Sequence, residues 1–393
     1  MKAYKILSYL LMAAFLLIAG CRSTSVPRDA VKLGVVLPLS GKFGEYGKKV
    51  LAGMKFAQDK INLKGGVNGK QLVLVIIDNK SVGRESAKAF EKLAKMKDIV
   101  LVMGSYSTNC TLAMKPLALK YKLPLITSTA TNNVVTERNG YVFRTCFRDS
   151  YQAAAMAYFA YDSRLVTKIG IMMDLDENGT YSRDLGRKFG FAFEKLGGKV
   201  VKRVGFYHGK KEFKNQVDTL TENKAKGIFA ACYDSDAVEL VKQARAQGYN
   251  YSLFGSDGWD ERNFYENSGD KPGKCYFASL FSPDLNTPQT KAFVEEFTAL
   301  KSRMPGACEA QGFDVVNIAA EAVGMTEPGK DVRGGLYRIQ DYKGVVGSIS
   351  ISASRDAQRD LFVKTLVKGA DGKYHPELVK VITPELIKRA LLK

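Results

Sequence analysis

The chain has 393 residues, of which 46% are hydrophobic, so it can bury a sizeable core and is longer than most single domains. Its formal net charge is +19, but the basic residues are spread beside acidic ones, with no arginine-rich run. This distribution predicts a solvated basic surface, with loose attraction to anionic lipid head groups as the alternative, and it argues against nucleic acid as a partner.

The N-terminal segment is ordered like an export signal. Two lysines precede an apolar run over 6–18, and small residues then lead to Cys21. The run is too short for a permanent membrane-spanning helix, which needs about 20 residues. A cysteine directly after small residues resembles the lipobox of bacterial lipoproteins, in which the thiol is acylated. We therefore predict a signal peptide over 1–20, lipidation at Cys21 and a lipidated tether over 21–30, with a plain secretory signal as the alternative.

From residue 31 onward, apolar strands alternate with amphipathic helices. The first set of predicted strands covers 31–38, 70–78, 99–103, 123–127 and 141–145. The second set covers 168–173, 199–206, 227–232 and 251–255. Strands separated by helices of this length indicate parallel sheets covered on both faces. The predicted fold class is therefore α/β, with two open, mostly parallel sheet lobes.

The chain after residue 275 has too few elements for a third domain. It shows one strand, two helices over 288–302 and 310–324, and strands near 345–352 and 360–368. We predict that this part returns to complete both lobes. Lobe 1 is then 31–148 plus about 278–344, and lobe 2 is 149–277 plus about 345–393. Open α/β sheets bind ligands beyond the carboxyl ends of their strands, so two facing lobes predict a ligand cleft that can close.

Five cysteines follow Cys21, none of them in a CxxC pair, and the chain has only two histidines. A zinc site needs clustered ligands at close spacing, so we predict neither a metal site nor a cofactor. An oxidising compartment permits one or two disulfides, and the odd number leaves at least one free thiol. Cys146, Cys232 and Cys275 lie in strand-like runs and are interpreted as buried small hydrophobic residues.

Hydroxyl-rich turns follow the third and fourth predicted strands, over 104–108 and 127–131. Hydroxyls and backbone amides at such strand ends and helix starts can hold a carboxylate, with the helix dipole assisting. Helix N-capping is the structural alternative, and the two roles are compatible. The glycine-containing turn over 41–47 lacks nucleotide-binding spacing and is interpreted as a tight turn that lines the cleft.

The sequence shows no catalytic constellation, and we predict that the protein is not an enzyme. It has no GxSxG elbow, no HExxH motif and no histidine near a serine or cysteine cluster. Asp174 and Asp176 follow a predicted strand and could imitate a catalytic carboxylate pair. We interpret both as solvated loop charges.

Several segments follow one order between about residues 31 and 350, among them VVLPLSGKFGEYG, GSYST, PLITSTATN, VFRTCFRD and ARAQGYNYSLFGSDG. This order resembles the leucine/isoleucine/valine-binding proteins of ABC importers, which have the type I periplasmic-binding fold. Together with the predicted lipidation at Cys21, the resemblance implies a lipoprotein held at the periplasmic or extracytoplasmic face. Such a protein captures an amino acid or related small carboxylate between its lobes and delivers it to an ABC permease.

The resemblance also implies roles for seven residues. By position, Thr108 matches the hydroxyl that binds the ligand carboxylate, Thr129 matches a backbone contact, and Thr131 matches a second hydroxyl. Tyr46, Tyr181 and Tyr233 match aromatic residues of the site. Asp257 lies where the family has an acid for the ligand ammonium group.

Two departures from the family pattern concern the side-chain pocket. Ser182 follows Tyr181 where glycine is usual, and the position near Cys308 often carries a bulkier residue. The ligand class stays open between branched-chain, aromatic and other amino acids and amino-free acids. The alternative function is a ligand sensor of the same fold that signals to a membrane receptor. A cytoplasmic repressor is disfavoured, because a signal peptide stands where its DNA-binding unit would be.

Overall fold

The computed structural model describes residues 29–175, 179–209 and 211–392. The predicted signal peptide and Cys21 lie outside these residues. Two large sheets and one small sheet make up the described part, with fifteen strands in all. In chain order the strands are β1 (Val31–Leu37), β2 (Leu72–Asp78), β3 (Ile99–Gly104), β4 (Leu125–Thr127), β5 (Val142–Arg144), β6 (Lys168–Asp174), β7 (Lys199–Phe206), β8 (Gly227–Ala231), β9 (Ser252–Gly255), β10 (Cys275–Ser279), β11 (Tyr342–Gly344), β12 (Gly347–Ile351), β13 (Ala357–Gln358), β14 (Leu361–Lys368) and β15 (Tyr374–Ile382).

Twelve α-helices connect or cover the strands in the described residues. They are α1 (Gly44–Leu63), α2 (Gly83–Ala94), α3 (Thr108–Tyr121), α4 (Asp149–Tyr158), α5 (Gly179–Lys195), α6 (Lys214–Glu222), α7 (Asp234–Ala246), α8 (Arg262–Asn267), α9 (Pro288–Lys301), α10 (Ala307–Gly324), α11 (Arg333–Tyr337) and α12 (Pro384–Leu392). None of the described helices is both long and apolar enough to cross a membrane.

The first large sheet has the order β2-β1-β3-β4-β5 and is entirely parallel. Its strands are apolar on both faces because helices cover both. Leu33, Val35 and Leu37 of β1 pack towards α1, α9 and α10, whereas Val36 packs towards α2 and α3. This sheet and its helices are called lobe 1.

The second large sheet has the order β15-β14-β10-β9-β8-β6-β7. The five strands from β6 to β10 are parallel to one another. Strand β14 runs antiparallel to β10, and β15 runs antiparallel to β14. Phe229 and Ala231 of β8 face α4 and α5, whereas Ile228 and Ala230 face α6 and α7. This sheet and its helices are called lobe 2. The predicted fold class, two lobes with mostly parallel sheets, is confirmed.

Strand β14 matches the strand predicted near 360–368, whereas strand β15 and helix α12 are absent from the predicted pattern. Pro376 lies inside β15, and proline argues against a central strand because it has no N–H to donate. In the structure β15 is an edge strand that pairs only with β14, so the missing donor is tolerated there.

The third, small sheet consists of β11, β12 and β13 and is antiparallel. Its residues Val345, Val346 and Ile349 pack into the core of lobe 1. The chain then enters lobe 2 at Leu361. Lobe 1 therefore extends further along the chain than the predicted boundary near residue 345, because the small sheet covers apolar surface of lobe 1.

Helices α1 and α10 approach each other closely through two glycines. A Cβ atom on Gly53 would lie 1.9 Å from the carbonyl oxygen of Glu309, and one on Gly312 would lie 2.1 Å from that of Val50. Only glycine fits at such a backbone contact. The contact sets the position of the start of α10, which reaches the cleft described below.

The five described cysteines are buried, and their thiols are free. Burial raises the pKa of Cys146 to about 12 and that of Cys275 to about 11. Both groups are therefore neutral thiols at physiological pH, which agrees with packing rather than reactive roles.

Candidate ligand-binding cleft

The carboxyl ends of the two large sheets face each other across a cavity of about 40 Å³. Fourteen residues line it: Tyr106, Thr108, Thr129, Thr131, Tyr181, Tyr233, Asp257, Gly258, Asp260, Glu261, Leu280, Ala307, Cys308 and Gln311. Six of the seven site residues predicted from the sequence are in this set. They come from segments far apart in the chain, because parallel strands bring their carboxyl ends to one edge.

The lobe 1 wall is built from the two predicted hydroxyl turns. Ser107 caps α3, its side-chain oxygen accepting from the N–H of Cys110 at 3.4 Å. Thr129 donates its hydroxyl to the carbonyl oxygen of Tyr106 at 2.9 Å, which joins the two turns. Thr108 is the first residue of α3 and faces the cavity, and its hydroxyl has no hydrogen-bond partner among the described residues. The capping hydroxyl and the hydroxyl that faces the cavity thus belong to neighbouring residues.

The lobe 2 wall centres on Asp257, which follows β9. Its carboxylate accepts a hydrogen bond from the Tyr181 hydroxyl, and its backbone N–H donates to the side-chain oxygen of Gln152 at 2.8 Å. Burial raises the pKa of Asp257 above its ordinary value, and the hydrogen bond from Tyr181 acts against that rise. The hydrogen bonds fix the direction in which the carboxylate points.

Three acids line the cavity, and they differ in their partners. Asp260 forms an ion pair with Lys364 at 3.0 Å, and both side chains are buried. Glu261 forms an ion pair with Lys49 at 2.5 Å. Asp257 forms no ion pair with any described residue. Asp257 is therefore the acid whose charge a bound cation could neutralise.

A fourth acid, Asp149, lies behind Asp257 at the start of α4. It is fully buried, and the nearby hydroxyl of Thr131 acts to lower its pKa. Burial, together with the charge of Asp257, raises the pKa of Asp149 to about 8. The group is therefore mostly protonated at neutral pH, which spares the structure a second buried negative charge.

Tyrosines and a phenylalanine form an aromatic cluster that spans the cleft. The rings of Tyr46 and Tyr106 stack with centroids 5.0 Å apart, and Phe43 packs 5.1 Å from Tyr233 of lobe 2. Tyr181 packs 5.7 Å from Tyr233. Tyr181 and Tyr233 both line the central cavity.

Tyr46 is the one predicted site residue that does not line the central cavity. It lies at the cleft mouth, in a neighbouring cavity of about 310 Å³, where its hydroxyl donates to the carboxylate of Asp234. The reason is that α1 begins at Gly44, so its first turn stands at the rim rather than over the centre. In this arrangement Tyr46 contacts the opposite lobe.

Other polar contacts also join the lobes across the mouth. The ion pair between Lys49 of α1 and Glu261 of lobe 2 is one, and the Cys308 thiol of α10 donates to the same carboxylate at 3.2 Å. Burial acts to lower the pKa of Lys49, but the charge of Glu261 and its hydrogen bond act in the opposite direction, so that this pKa is raised. Asn132 donates to the carbonyl oxygen of Thr180 at 3.1 Å. The lobes are therefore closed on each other.

Several residues that line the cavity were not predicted as site residues from the sequence, notably Glu261, Cys308 and Gln311. Glu261 lies four residues after Asp257, so proximity in the chain was a usable signal. Cys308 and Gln311 reach the site on α10, whose position depends on its packing against α1. No local pattern encodes that placement.

The interpretation of Asp174 as a solvated loop charge is wrong. Its side chain is 1% exposed at the end of β6, where His208 and Asp236 lie beside it. Asp176 lies outside the described residues. Asp174, His208 and Asp236 bring their ligand-type atoms within 4.8 Å of one another, an arrangement chemically suited to a cation. His208 lies 2.6 Å from Asp236, and this hydrogen bond raises the pKa of His208, so a local ion pair also accounts for the group.

The model of one protein family, described as periplasmic binding protein, matches residues 30–371. The chain belongs to the periplasmic binding protein family. The family resemblance drawn from the sequence segments is thus confirmed.

Individual relatives of this family member are distant but match it over most of its length. The Leu/Ile/Val-binding protein homolog 3 of Brucella melitensis is 24% identical, over 87% of this chain and 92% of the relative. A leucine-binding protein of Thermotoga maritima is 27% identical with a TM-score of 0.82, covering 91% of this chain and 99% of the other. A branched-chain amino acid transporter substrate-binding protein of Streptococcus pneumoniae, solved with isoleucine, is 26% identical with a TM-score of 0.80, covering 90% and 100%.

Proposed function

We propose that this periplasmic binding protein is an extracytoplasmic substrate-binding lipoprotein that captures an α-amino acid and delivers it to an ABC permease. The observation that carries the proposal is that Asp257, which forms no ion pair with a described residue, and the hydroxyl of Thr108 line the same cavity between the lobes. An amino-acid zwitterion has a carboxylate for the wall of lobe 1 and an ammonium group for the wall of lobe 2. The names of the relatives favour branched-chain side chains.

In the proposed complex each end of the ligand has its own partners. The ligand carboxylate accepts hydrogen bonds from Thr108 and Thr131 and from the N-terminal amides of α3, whose dipole favours an anion. The ligand ammonium donates to Asp257, which Tyr181 holds in position. Tyr106, Tyr233 and Leu280 supply the apolar surface for the ligand side chain.

Thermal unfolding with matched ligands tests the proposal. We expect leucine, isoleucine or valine to raise the melting temperature, because a ligand at 100 times its Kd stabilises the folded state by about 2.7 kcal/mol. Two leucine analogues are the controls: 4-methylpentanoate lacks the amino group, and 3-methylbutylamine lacks the carboxylate. Both should stabilise much less than leucine. Stabilisation by an amino-free acid at lower concentration than by any amino acid would contradict the proposal.

Delivery to a permease is tested by uptake in cells. Cells that lack this protein should take up the labelled ligand slowly, and the wild-type gene should restore uptake while the Asp257→Asn gene should not. Normal uptake combined with a lost transcriptional response to the ligand would instead assign the protein as a sensor.

The lipid anchor is proposed on the sequence alone. The small residues before Cys21 motivate the expectation that wild-type protein incorporates labelled fatty acid and sediments with membranes. Cys21→Ala protein should do neither. Fatty-acid label on the Cys21→Ala protein would show that the anchor is not attached at this cysteine.

A further inference from the structure

The chain passes between the lobes three times, and the hydrophobic cores show where. The first passage lies at 144–145, between the end of β5 and the first residues of the lobe 2 core. The second lies at 280–281, and the third lies at 358–360. Rotation of one lobe against the other must be absorbed by dihedral changes in these short segments.

One side chain, Arg359, touches all three passages. Arg359 belongs to the third passage and is 3% exposed. Its Nη1 donates to the carbonyl oxygen of Thr145 in the first passage at 3.4 Å, and its Nη2 donates to the carbonyl oxygen of Leu280 in the second. Nη2 also reaches the carbonyl oxygen of Val346 in lobe 1 at 3.4 Å. The fork of the guanidinium thus joins backbone from both lobes.

The same group connects to the ligand cavity through Gln311. Arg359 Nη1 donates to the side-chain oxygen of Gln311 at 3.3 Å, and the side-chain nitrogen of Gln311 donates to the carbonyl oxygen of Leu280 at 3.1 Å. Gln311 and Leu280 both line the cavity. A continuous set of hydrogen bonds therefore runs from the cavity wall to the three passages.

Packing alone gives no reason for a charge at this position. The hydrogen bonds of Arg359 go to neutral oxygens, and burial lowers its pKa to about 10, so the group is charged at neutral pH. The charges of Asp314 and Asp360 favour the charged form of Arg359, but neither forms an ion pair with it. Burying such a charge is costly, and apolar replacements of buried charges are often neutral or stabilising. A fork with several donors in one plane is what arginine offers and lysine does not.

We propose that Arg359 is the positioning residue of the hinge, which holds the three passages in the arrangement that closes the lobes around a ligand. Loss of the fork leaves the folded lobes intact and shifts the ligand-free protein towards open forms. A smaller closed fraction weakens the apparent affinity in proportion. The affinity part of this inference rests on the proposed function, whereas the shape of the free protein does not.

The test compares Arg359→Lys and Arg359→Met with the same changes at Arg245. Arg245 is a matched control because it also donates to several backbone carbonyls, those of Tyr249, Tyr251 and Pro272, all within lobe 2. Small-angle scattering gives the radius of gyration of the free and leucine-saturated proteins, thermal unfolding gives stability, and titration with leucine gives Kd.

We expect both Arg359 variants to have a larger radius of gyration than wild type when free and a similar one at saturation. Their Kd for leucine should rise about tenfold, equivalent to about 1.4 kcal/mol. The lysine variant should not restore the wild-type values, because it keeps the charge but lacks the fork. Arg245 variants should lower the melting temperature only.

The inference is overturned if the Arg359 variants lose thermal stability as the Arg245 variants do while their free radius of gyration stays at the wild-type value. If leucine does not bind even to the wild type, the proposed class of branched-chain ligands is wrong. The radius of gyration of the free proteins would still show whether Arg359 holds the lobes closed.

Discussion

The two walls of the cavity differ in the charge of their side chains. Among the described residues that line the cavity, those of lobe 1 carry hydroxyls, a thiol, an amide and a tyrosine ring. None of these lobe 1 residues is an aspartate, glutamate, lysine, arginine or histidine. Lobe 2 contributes three carboxylates, two of which are paired with lysines. A neutral wall with helix amides suits an anion, and an uncompensated carboxylate suits a cation. The comparison explains why a ligand with both charges fits the proposed orientation.

The largest effect should come from the charged wall. Asp257→Asn removes the partner of the ligand ammonium inside a closed site, and truncating one member of a buried pair costs about 2–5 kcal/mol. We expect the Kd for leucine, measured by titration calorimetry, to rise about 30-fold to several-thousand-fold.

The control for this prediction is Asp218→Asn, which removes an exposed carboxylate on α6. Its Kd should match that of the wild type. Tight leucine binding by the Asp257→Asn protein would show that the ammonium does not lie at this wall, and the contrast between the walls would then have no bearing on ligand orientation.

The neutral wall should give a smaller effect. Thr108→Val removes one hydroxyl that donates to the ligand carboxylate, and a hydrogen bond to a charged group contributes about 1.5–3 kcal/mol. The expected rise in Kd by calorimetry is about 10- to 150-fold. Thr298→Val on α9 is the matched control and should bind normally. A larger loss for Thr108→Val than for Asp257→Asn would reverse the ranking of the walls.

Much of the fold could be predicted from the sequence because its signals are local. The nine strands predicted up to residue 255 lie within β1 to β9 or overlap them, since each is an apolar run bounded by turn residues. Strand β15 was missed, because proline and charged residues break its pattern and only its edge position makes it possible.

The residues of the site also differ in whether local sequence signals could place them. Thr108 and Asp257 follow strands directly, so strand order alone brings them to the cleft. Cys308 and Gln311 arrive on α10 through glycine contacts with α1, and Tyr46 is displaced to the mouth by the start of a helix. Those placements depend on tertiary packing, which no local pattern records.

The wall of lobe 2 should also respond to pH, since the buried acid Asp149 lies behind Asp257. The folded protein raises the pKa of Asp149 to about 8 from the ordinary value of 3.8. A carboxyl group with a raised pKa contributes fully to stability below about pH 4, and that contribution is lost as the pH rises towards about 8.

Asp149→Asn keeps a neutral side chain at every pH. The free energy of unfolding in urea should therefore increase for this variant relative to the wild type as the pH rises from about 4 to about 8. The increase should be up to about 1.4 kcal/mol per pH unit. The difference between Thr108→Val and wild type should not change with pH. A constant difference for Asp149→Asn would show that Asp149 is charged throughout this range.

The smallest effect should arise where the walls meet at the mouth. Tyr46→Phe removes a hydroxyl that donates to Asp234 across the cleft, a contact that exists only when the lobes are closed. The site is partly open to water, so the hydrogen bond should contribute about 1 kcal/mol to closure. The Kd for leucine should then rise about fivefold, through a smaller closed fraction rather than a lost ligand contact.

Tyr121→Phe separates closure from general stability. The Tyr121 hydroxyl donates to Glu91 at 2.6 Å, so it is the same kind of hydrogen bond, but both residues belong to lobe 1. It should leave Kd unchanged. If Tyr46 instead touches the ligand, as its family position implies, the loss in Tyr46→Phe should depend on the ligand side chain. Equal losses for leucine, isoleucine and valine therefore indicate a contact between lobes, and unequal losses would place Tyr46 in the ligand pocket.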